Sequence, residues 1–111
     1  MALRKLDKSE WEAYFDKVSK EHTAKLVEVE VLSKSIGSQV EEEWVPIIGL
    51  SYDPKDGDFS VATEAVDHII HRPVEIWVDD EDGVLSNLEV VQADGTKHIV
   101  ELRSPQQLSK E

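Results

Sequence analysis

The N-terminal part of the chain has the hydrophobic period of an amphipathic helix. Apolar residues recur at i, i+3, i+4 and i+7: Trp11, Tyr14, Phe15 and Val18. This spacing places four large side chains on one helical face. Asp7 precedes the segment as a candidate N-cap with Glu10 three residues later, and Leu6 and Trp11 occupy the two positions of a hydrophobic staple. The pattern predicts a helix over 8–21, packed on a broad apolar surface such as a sheet.

From residue 25 onward the period changes to two, which is typical of strands with one wet face. Six segments with this alternation are separated by turn residues: 27–31, 39–52, 59–63, 74–78, 84–91 and 97–102. Pro46 cannot donate to a ladder, so its strand is expected to lie at an edge or to be bulged there. Residues 64–72 fit both a strand and a short helical turn; we favour the helical turn, ended by Pro73.

One helix followed by about six short strands predicts an α+β fold, with the N-terminal helix packed on an antiparallel sheet. If the sheet curls, the order of elements suits a partial Sm-like or SH3-like barrel, which is an analogy from element order. We expect a single α+β domain over 1–103. The residues that follow, 104–111, have no pattern and are expected to form a flexible C-terminal tail.

Composition removes several classes of function. The chain has 111 residues, with 24 acidic and 12 basic side chains, a net charge of −12 and no cysteine. Such a negative field repels phosphate backbones and anionic lipid, so neither nucleic acid nor a membrane is an expected partner. Without cysteine there are no disulfides, thiolate nucleophiles or Cys-based zinc sites. Apolar runs are too short for a spanning segment or an export signal, and a soluble cytoplasmic location is expected.

Several strings along the whole chain resemble those of a family of small acidic bacterial proteins known only as a domain of unknown function. They are SEWEAYFD at 9–16, EVEVL at 28–32, EEWVPIIGLSYDPKD at 42–56, VDHII at 66–70, and LEVV with ADGT within 88–96. The resemblance supports the fold. It implies no activity, substrate or site residue.

Histidines and a carboxylate form the first candidate site. Asp67, His68 and His71 lie at i, i+1 and i+4, so on a helix they would share one face from which all three could reach a metal ion. On a strand, His68 and His71 would point to opposite faces and the site would vanish. His98 is a candidate fourth ligand, and His22 has no partner nearby in the sequence.

Trp44 and Trp77 are the candidate contact residues. Trp77 alternates with Val74, Ile76 and Val78 and therefore points to the charged face of its strand. It is expected either to be covered within the monomer or to be an exposed anchor for a partner.

The sequence has neither a nucleophile elbow nor a Gly-rich phosphate loop, so no cofactor, nucleotide or catalytic residue is predicted. We therefore favour a non-enzymatic module for protein–protein interaction or assembly, with homodimerisation as its simplest form. A basic partner surface is another candidate. The alternative is a small metal-binding protein or metal-dependent enzyme that uses Asp67, His68 and His71.

Overall fold

A computed structural model describes residues 3–21, 25–34, 37–81 and 84–104 of the chain. A short 3-10 turn, Lys8–Glu10, leads into the helix α1, Trp11–Glu21. Eight strands complete the order of elements: β1 (Arg4–Lys5), β2 (Leu26–Ser33), β3 (Gly37–Asp53), β4 (Asp58–Thr63), β5 (Asp67–His71), β6 (Pro73–Glu81), β7 (Val84–Gln92) and β8 (Lys97–Arg103). The α+β class is confirmed, with eight described strands where about six were expected.

The predicted N-terminal helix is confirmed, and the face that the sequence indicates is the one that packs. Trp11, Phe15 and Val18 are buried, and Tyr14 packs against the same core. Asp7 does lie at the N-cap position, but its side chain makes no capping hydrogen bond. The Glu10 N–H instead donates to the Asp7 carbonyl at 2.9 Å, which closes the 3-10 turn through the backbone.

All eight strands belong to one antiparallel sheet, in the order β1-β6-β7-β8-β2-β3-β4-β5. Strands β5 and β6 follow each other in the chain, yet five other strands lie between them in the sheet. The sheet must therefore curl until its ends approach. A direct contact joins them: Gln92 Nε2, at the end of β7, donates to the carbonyl of His71 in β5 at 2.9 Å. Helix α1 packs against β3.

The concave side of this sheet encloses the apolar core. Phe15 of α1 meets Phe59 of β4 edge to face, with ring centroids 4.8 Å apart, and Trp11 meets Tyr52 in the same way at 5.0 Å. Such edge-to-face pairs stabilise a core beyond the area that they bury. The inward residues of seven strands, β2 to β8, complete it: Val27, Val29, Leu50, Val61, Ile70, Ile76, Val78, Leu88, Val90 and Val100.

The long strand β3 pairs with β2 in its first half and with β4 in its second. Its ladders are interrupted opposite Val27 and Val29, and again between Ile47 and Gly49. These interruptions lie on either side of Pro46, which itself pairs in register with Leu26, and β3 is an inner strand of the sheet and not an edge strand. Trp44 lies within the first interruption, between Glu42 and Val45, and has a φ of +50°, which residues other than glycine rarely adopt.

The helical turn predicted within 64–72 is wrong, because residues 67–71 form strand β5. Ile70 pairs with Phe59 and His68 with Val61 across the β4–β5 ladder, and Ile70 is buried. Within this segment the inward side chains, His68 and Ile70, thus alternate as in a strand. Val74 also departs from expectation, since a register shift between Pro73 and Glu75 leaves it 50% exposed.

Residues 105–111 of the tail predicted at 104–111, and His22, lie outside the described residues. Within the part of the chain that is described, no helix is long and apolar enough to cross a membrane.

Candidate functional site

The convex side of β6, β7, β8 and β2 carries a diagonal of apolar side chains, which we call the Trp77 face. Its apolar members, one from each strand, are Trp77, Val91, Ile99 and Leu32, and all four are half-buried. The ladders pair each of them with a charged residue: Trp77 with Glu89, Val91 with Lys97, Ile99 with Glu30 and Leu32 with Lys97. Apolar side chains are thus diagonal neighbours, within reach of one another. Helix α1 packs elsewhere, on β3.

Trp77 is held on this face by polar contacts as well. Its Nε1 donates to a carboxylate oxygen of Glu75 at 3.0 Å, and Lys5 Nζ lies 3.7 Å from the other oxygen. The indole hydrogen bond and the neighbouring lysine hold the pKa of Glu75 below its usual range. The ring therefore has a fixed orientation and is half-buried, with part of its surface open to solvent. It points away from Ile76 and Val78, as predicted from the alternation.

Acidic groups crowd the end of the Trp77 face on β8 and β2. Glu28 lies directly opposite Glu101 in the β2–β8 ladder. Partial burial raises the pKa of Glu28, and the nearby charges of Glu101, Glu43 and Glu30 raise it further. Like charges placed opposite each other destabilise a sheet unless something neutralises them. Arg103, which lies 3.4 Å from Glu101 and lowers the pKa of Glu28, offsets part of this repulsion, and an incoming cation would offset more.

Trp44 lies at the bend of β3, and it is half-buried. The guanidinium carbon of Arg103 lies 4.9 Å from its ring centroid, within the range of a cation–π contact. One face of Trp44 is thus covered from within the chain.

His68 and His98 come together in the interior from strands β5 and β8. His68 Nε2 lies 3.1 Å from His98 Nδ1, and His98 Nε2 lies 2.9 Å from Gln92 Oε1. Because the amide nitrogen of Gln92 already donates to His71, its oxygen must accept, so His98 carries its proton on Nε2. His98 Nδ1 is then an acceptor, and His68 Nε2–H donates to it.

This chain of hydrogen bonds requires a neutral His98. The imidazole is 7% exposed, and burial followed by the charge of His68 lowers its pKa to about 4, against a small opposing effect of Asp94. Protonation of Nδ1 would place a second hydrogen against the His68 N–H. The pair therefore stabilises the fold while His98 is neutral, and protonation of His98 disrupts it.

The metal ligand set predicted at 67–71 is not assembled by these residues. In strand β5 the side chains of Asp67 and His71 are exposed, and His68 points inward toward His98. His71 instead lies 3.2 Å from Asp58. Across the described ranges, no group of three or more His, Asp or Glu side chains is close enough to hold a metal ion. Only the proximity of His98 to His68 agrees with the proposed set.

A second polar cluster ties α1 to β6 and to the N-terminal strand. Tyr14 Oη donates to Asp80 Oδ2 at 2.6 Å, and Arg4 donates to both carboxylate oxygens at 3.3 and 2.9 Å. Both hydrogen bonds lower the pKa of Asp80, while burial and the bonded carboxylate raise that of Tyr14. Every member is partnered, so the cluster anchors the helix and leaves no open group for chemistry.

Comparison with known proteins agrees with the resemblance noted in the sequence. An uncharacterised protein of Aquifex aeolicus (strain VF5) is 46% identical over 104 residues, covering 93% of this chain and 94% of that protein. No solved structure matches the chain significantly, so the Sm-like or SH3-like analogy stays a prediction. A family model, described as a family of unknown function (DUF5335), matches residues 2–111. The chain therefore belongs to the DUF5335 family.

Proposed function

We propose that this protein is a non-enzymatic module that binds another protein through the Trp77 face. The observation that carries the proposal is the apolar diagonal on that face, which the described elements leave open. Aromatic and aliphatic side chains ringed by charged ones are the usual composition of an interface core and its rim. Trp77 is the natural anchor, because its ring is already held by Glu75 and loses little freedom on binding.

Charge favours a basic surface on the partner. The Trp77 face carries five glutamates against three basic side chains: Glu28, Glu30, Glu75, Glu89 and Glu101 against Lys5, Lys97 and Arg103. A cationic partner would relieve the repulsion that raises the pKa of Glu28. Self-association would instead bring together two chains of net charge −12, which repel each other.

A photo-crosslinking amino acid placed at Ile99 tests the location of the surface. In cells of the source organism it should capture a defined protein, whereas the same reagent at Ile48, which is 62% exposed on β3, should not. Equal capture from both positions would refute the proposal. Capture of a second copy of this chain would replace the basic partner with a homodimer.

The captured protein, once purified, allows a quantitative test by calorimetry. Trp77→Ala should weaken binding by about 30-fold, the loss typical of a buried aromatic anchor. Glu101→Lys should weaken it too, and the affinity should fall as salt is added. Because Trp77→Ala also removes packing within the sheet, Ile99→Ser is the second variant and Ile48→Ala the control. If Trp77→Ala and Ile99→Ser both bind as tightly as the control, the Trp77 face is not the interface.

A further inference from the structure

A cavity of about 410 Å³ lies between the 3-10 turn, the β3–β4 turn and the corner that joins β5 to β6. Lys8, Lys55 and Arg72 are among the residues that line it, one from each of these segments. None of the three belongs to the Trp77 face. The volume is within the range of small-molecule sites, roughly 300–1,000 Å³.

The positive charge here contrasts with the rest of the molecule. The chain has 24 acidic side chains and only 12 basic ones, and three of those basic side chains converge on this cavity. Neither Lys55 nor Arg72 forms a side-chain ion pair with any residue that the structure describes. The contact of Lys8 is with an aromatic ring, since its Nζ lies 5.7 Å from the Trp11 centroid. All three side chains are exposed, so an external anion can reach them.

The acidic residues near the cavity are mostly engaged elsewhere. Asp53 Oδ1 accepts the backbone N–H of Lys55 at 2.9 Å, which shapes the turn. Asp58 lies 3.2 Å from His71 Nδ1. Asp56 is the acidic member of the lining, so three cations face one carboxylate there. The residues that line the cavity therefore carry more positive than negative charge.

The backbone fixes the position of Arg72. Its N–H donates to the Gly57 carbonyl at 2.9 Å, which joins the β5–β6 corner to the β3–β4 turn. Arg72 has a φ of +48°, a conformation that costs a residue with a side chain about 1–2 kcal/mol. A Cβ placed on Gly57 would lie 3.7 Å from Arg72 Cγ, so the arginine stem runs across that glycine. An unfavourable backbone conformation that is retained at a cavity is typical of a ligand site.

We propose that this cavity binds a small soluble phosphate ester. A guanidinium group can bind two phosphate oxygens at once, and two ammonium groups supply the remaining charge. The side chain of Val74, also in the lining and 50% exposed, gives the organic part of the ester an apolar contact. The ligand is a free molecule and not a lipid headgroup, because the net charge of −12 repels an anionic membrane surface.

Titration of the ¹⁵N-labelled full chain with phenyl phosphate, followed by amide NMR shifts, tests the site. Saturable shifts should appear at residues 8, 52–57 and 72–74. Citrate should bind at least about tenfold more weakly, since its carboxylates match the site less well than a phosphate. Vesicles with 30% phosphatidylglycerol should not bind. Tighter binding of citrate or of the vesicles would overturn the assignment of the ligand.

Arg72→Gly and Lys55→Gln provide the residue-level test. Arg72→Gly removes the cation while it suits the positive φ, so the variant should fold and should bind the ester at least about tenfold more weakly. Lys55→Gln should also weaken binding. The matched control is Lys97→Gln, which removes the same charge from a lysine that is 51% exposed on the Trp77 face. Absence of saturable shifts up to about 10 mM, a very weak affinity, or equal weakening by Lys97→Gln would refute the proposal.

Discussion

The buried histidine pair makes a specific prediction about stability and pH. Folding lowers the pKa of His98 from 6.5 to about 4, so between these values the unfolded chain binds a proton that the folded chain does not. Unfolding then takes up protons, and the free energy of unfolding must fall as the pH falls. The stabilisation by neutral His98 is complete above pH 6.5 and is lost progressively down to about pH 4.

The size of this effect follows from the two pKa values. Linkage gives a loss of about 2 kcal/mol between pH 8 and pH 5, and about 3 kcal/mol by pH 4. Since one pKa unit corresponds to about 1.4 kcal/mol, the slope cannot exceed that value per pH unit for this residue. A loss of this size is a large fraction of the stability of a small domain, which is about 5–15 kcal/mol.

Urea unfolding followed by tryptophan fluorescence at pH 8, 6.5 and 5 measures the effect in the wild type and in His98→Gln. The difference in stability between the two proteins should shrink by about 2 kcal/mol from pH 8 to pH 5, because contributions of the other titrating groups cancel. His71→Gln is the matched control, since that exposed imidazole lies outside the buried pair. A difference that stays constant with pH would refute the assignment, as would an NMR titration showing His98 protonated on both nitrogens at pH 6.

Three further variants test the packing and the backbone. Phe15→Ala should lower the free energy of unfolding by about 3–5 kcal/mol, because it leaves a cavity against Phe59; a loss below 1 kcal/mol in urea unfolding would contradict the packing of α1 on the sheet. Tyr14→Phe should cost about 1–2 kcal/mol at pH 7 by removing its hydrogen bond to Asp80, and the cost should vanish in the background of Asp80→Ala. Gly57→Ala should cost about 1–2 kcal/mol, since its φ is +74°, whereas Ser60→Ala on β4 should change the thermal midpoint little.

The sequence correctly predicted the helix and those strands whose hydrophobic pattern lies within a short stretch of the chain. The helix could be predicted because its aromatic stripe and its start lie within a dozen residues. Strands β6 and β8 could be predicted because their inward positions alternate without interruption, apart from Val74. There the pattern fails because the register shift between Pro73 and Glu75 depends on the pairing of β6 with β7.

The elements that were missed depend on partners distant in sequence. Strand β1 has only two residues, and it exists because Lys5 pairs with Trp77. The segment that contains β5 has apolar residues at 66, 69 and 70, which a helical period fits as well as a strand period does. The pairing of Ile70 with Phe59 decides between them. Tertiary context overrides local preference in such short segments.

The candidate sites also differ in whether a local pattern in the sequence indicates them. Trp77 could be identified from its own strand, because alternation alone places it opposite Ile76. The partnership of His68 with His98 spans 30 residues, and no pattern in the sequence indicates it. The basic cavity draws one cation from each of three segments, so its positive charge is invisible in a chain that reads as uniformly acidic. Only curling of the sheet brings these groups together.

The two proposed sites should respond differently to salt, and the reason lies in the charge of the whole chain. A cationic partner on the Trp77 face is attracted both by nearby glutamates and by the net charge of −12, so salt weakens both attractions. An anion entering the cavity is attracted by Lys55 and Arg72 at short range but repelled by the rest of the molecule. Salt screens the long-range repulsion as well as the local attraction, and the two changes oppose each other. The affinity for phenyl phosphate should therefore depend on chloride concentration much less steeply than the affinity for the protein partner.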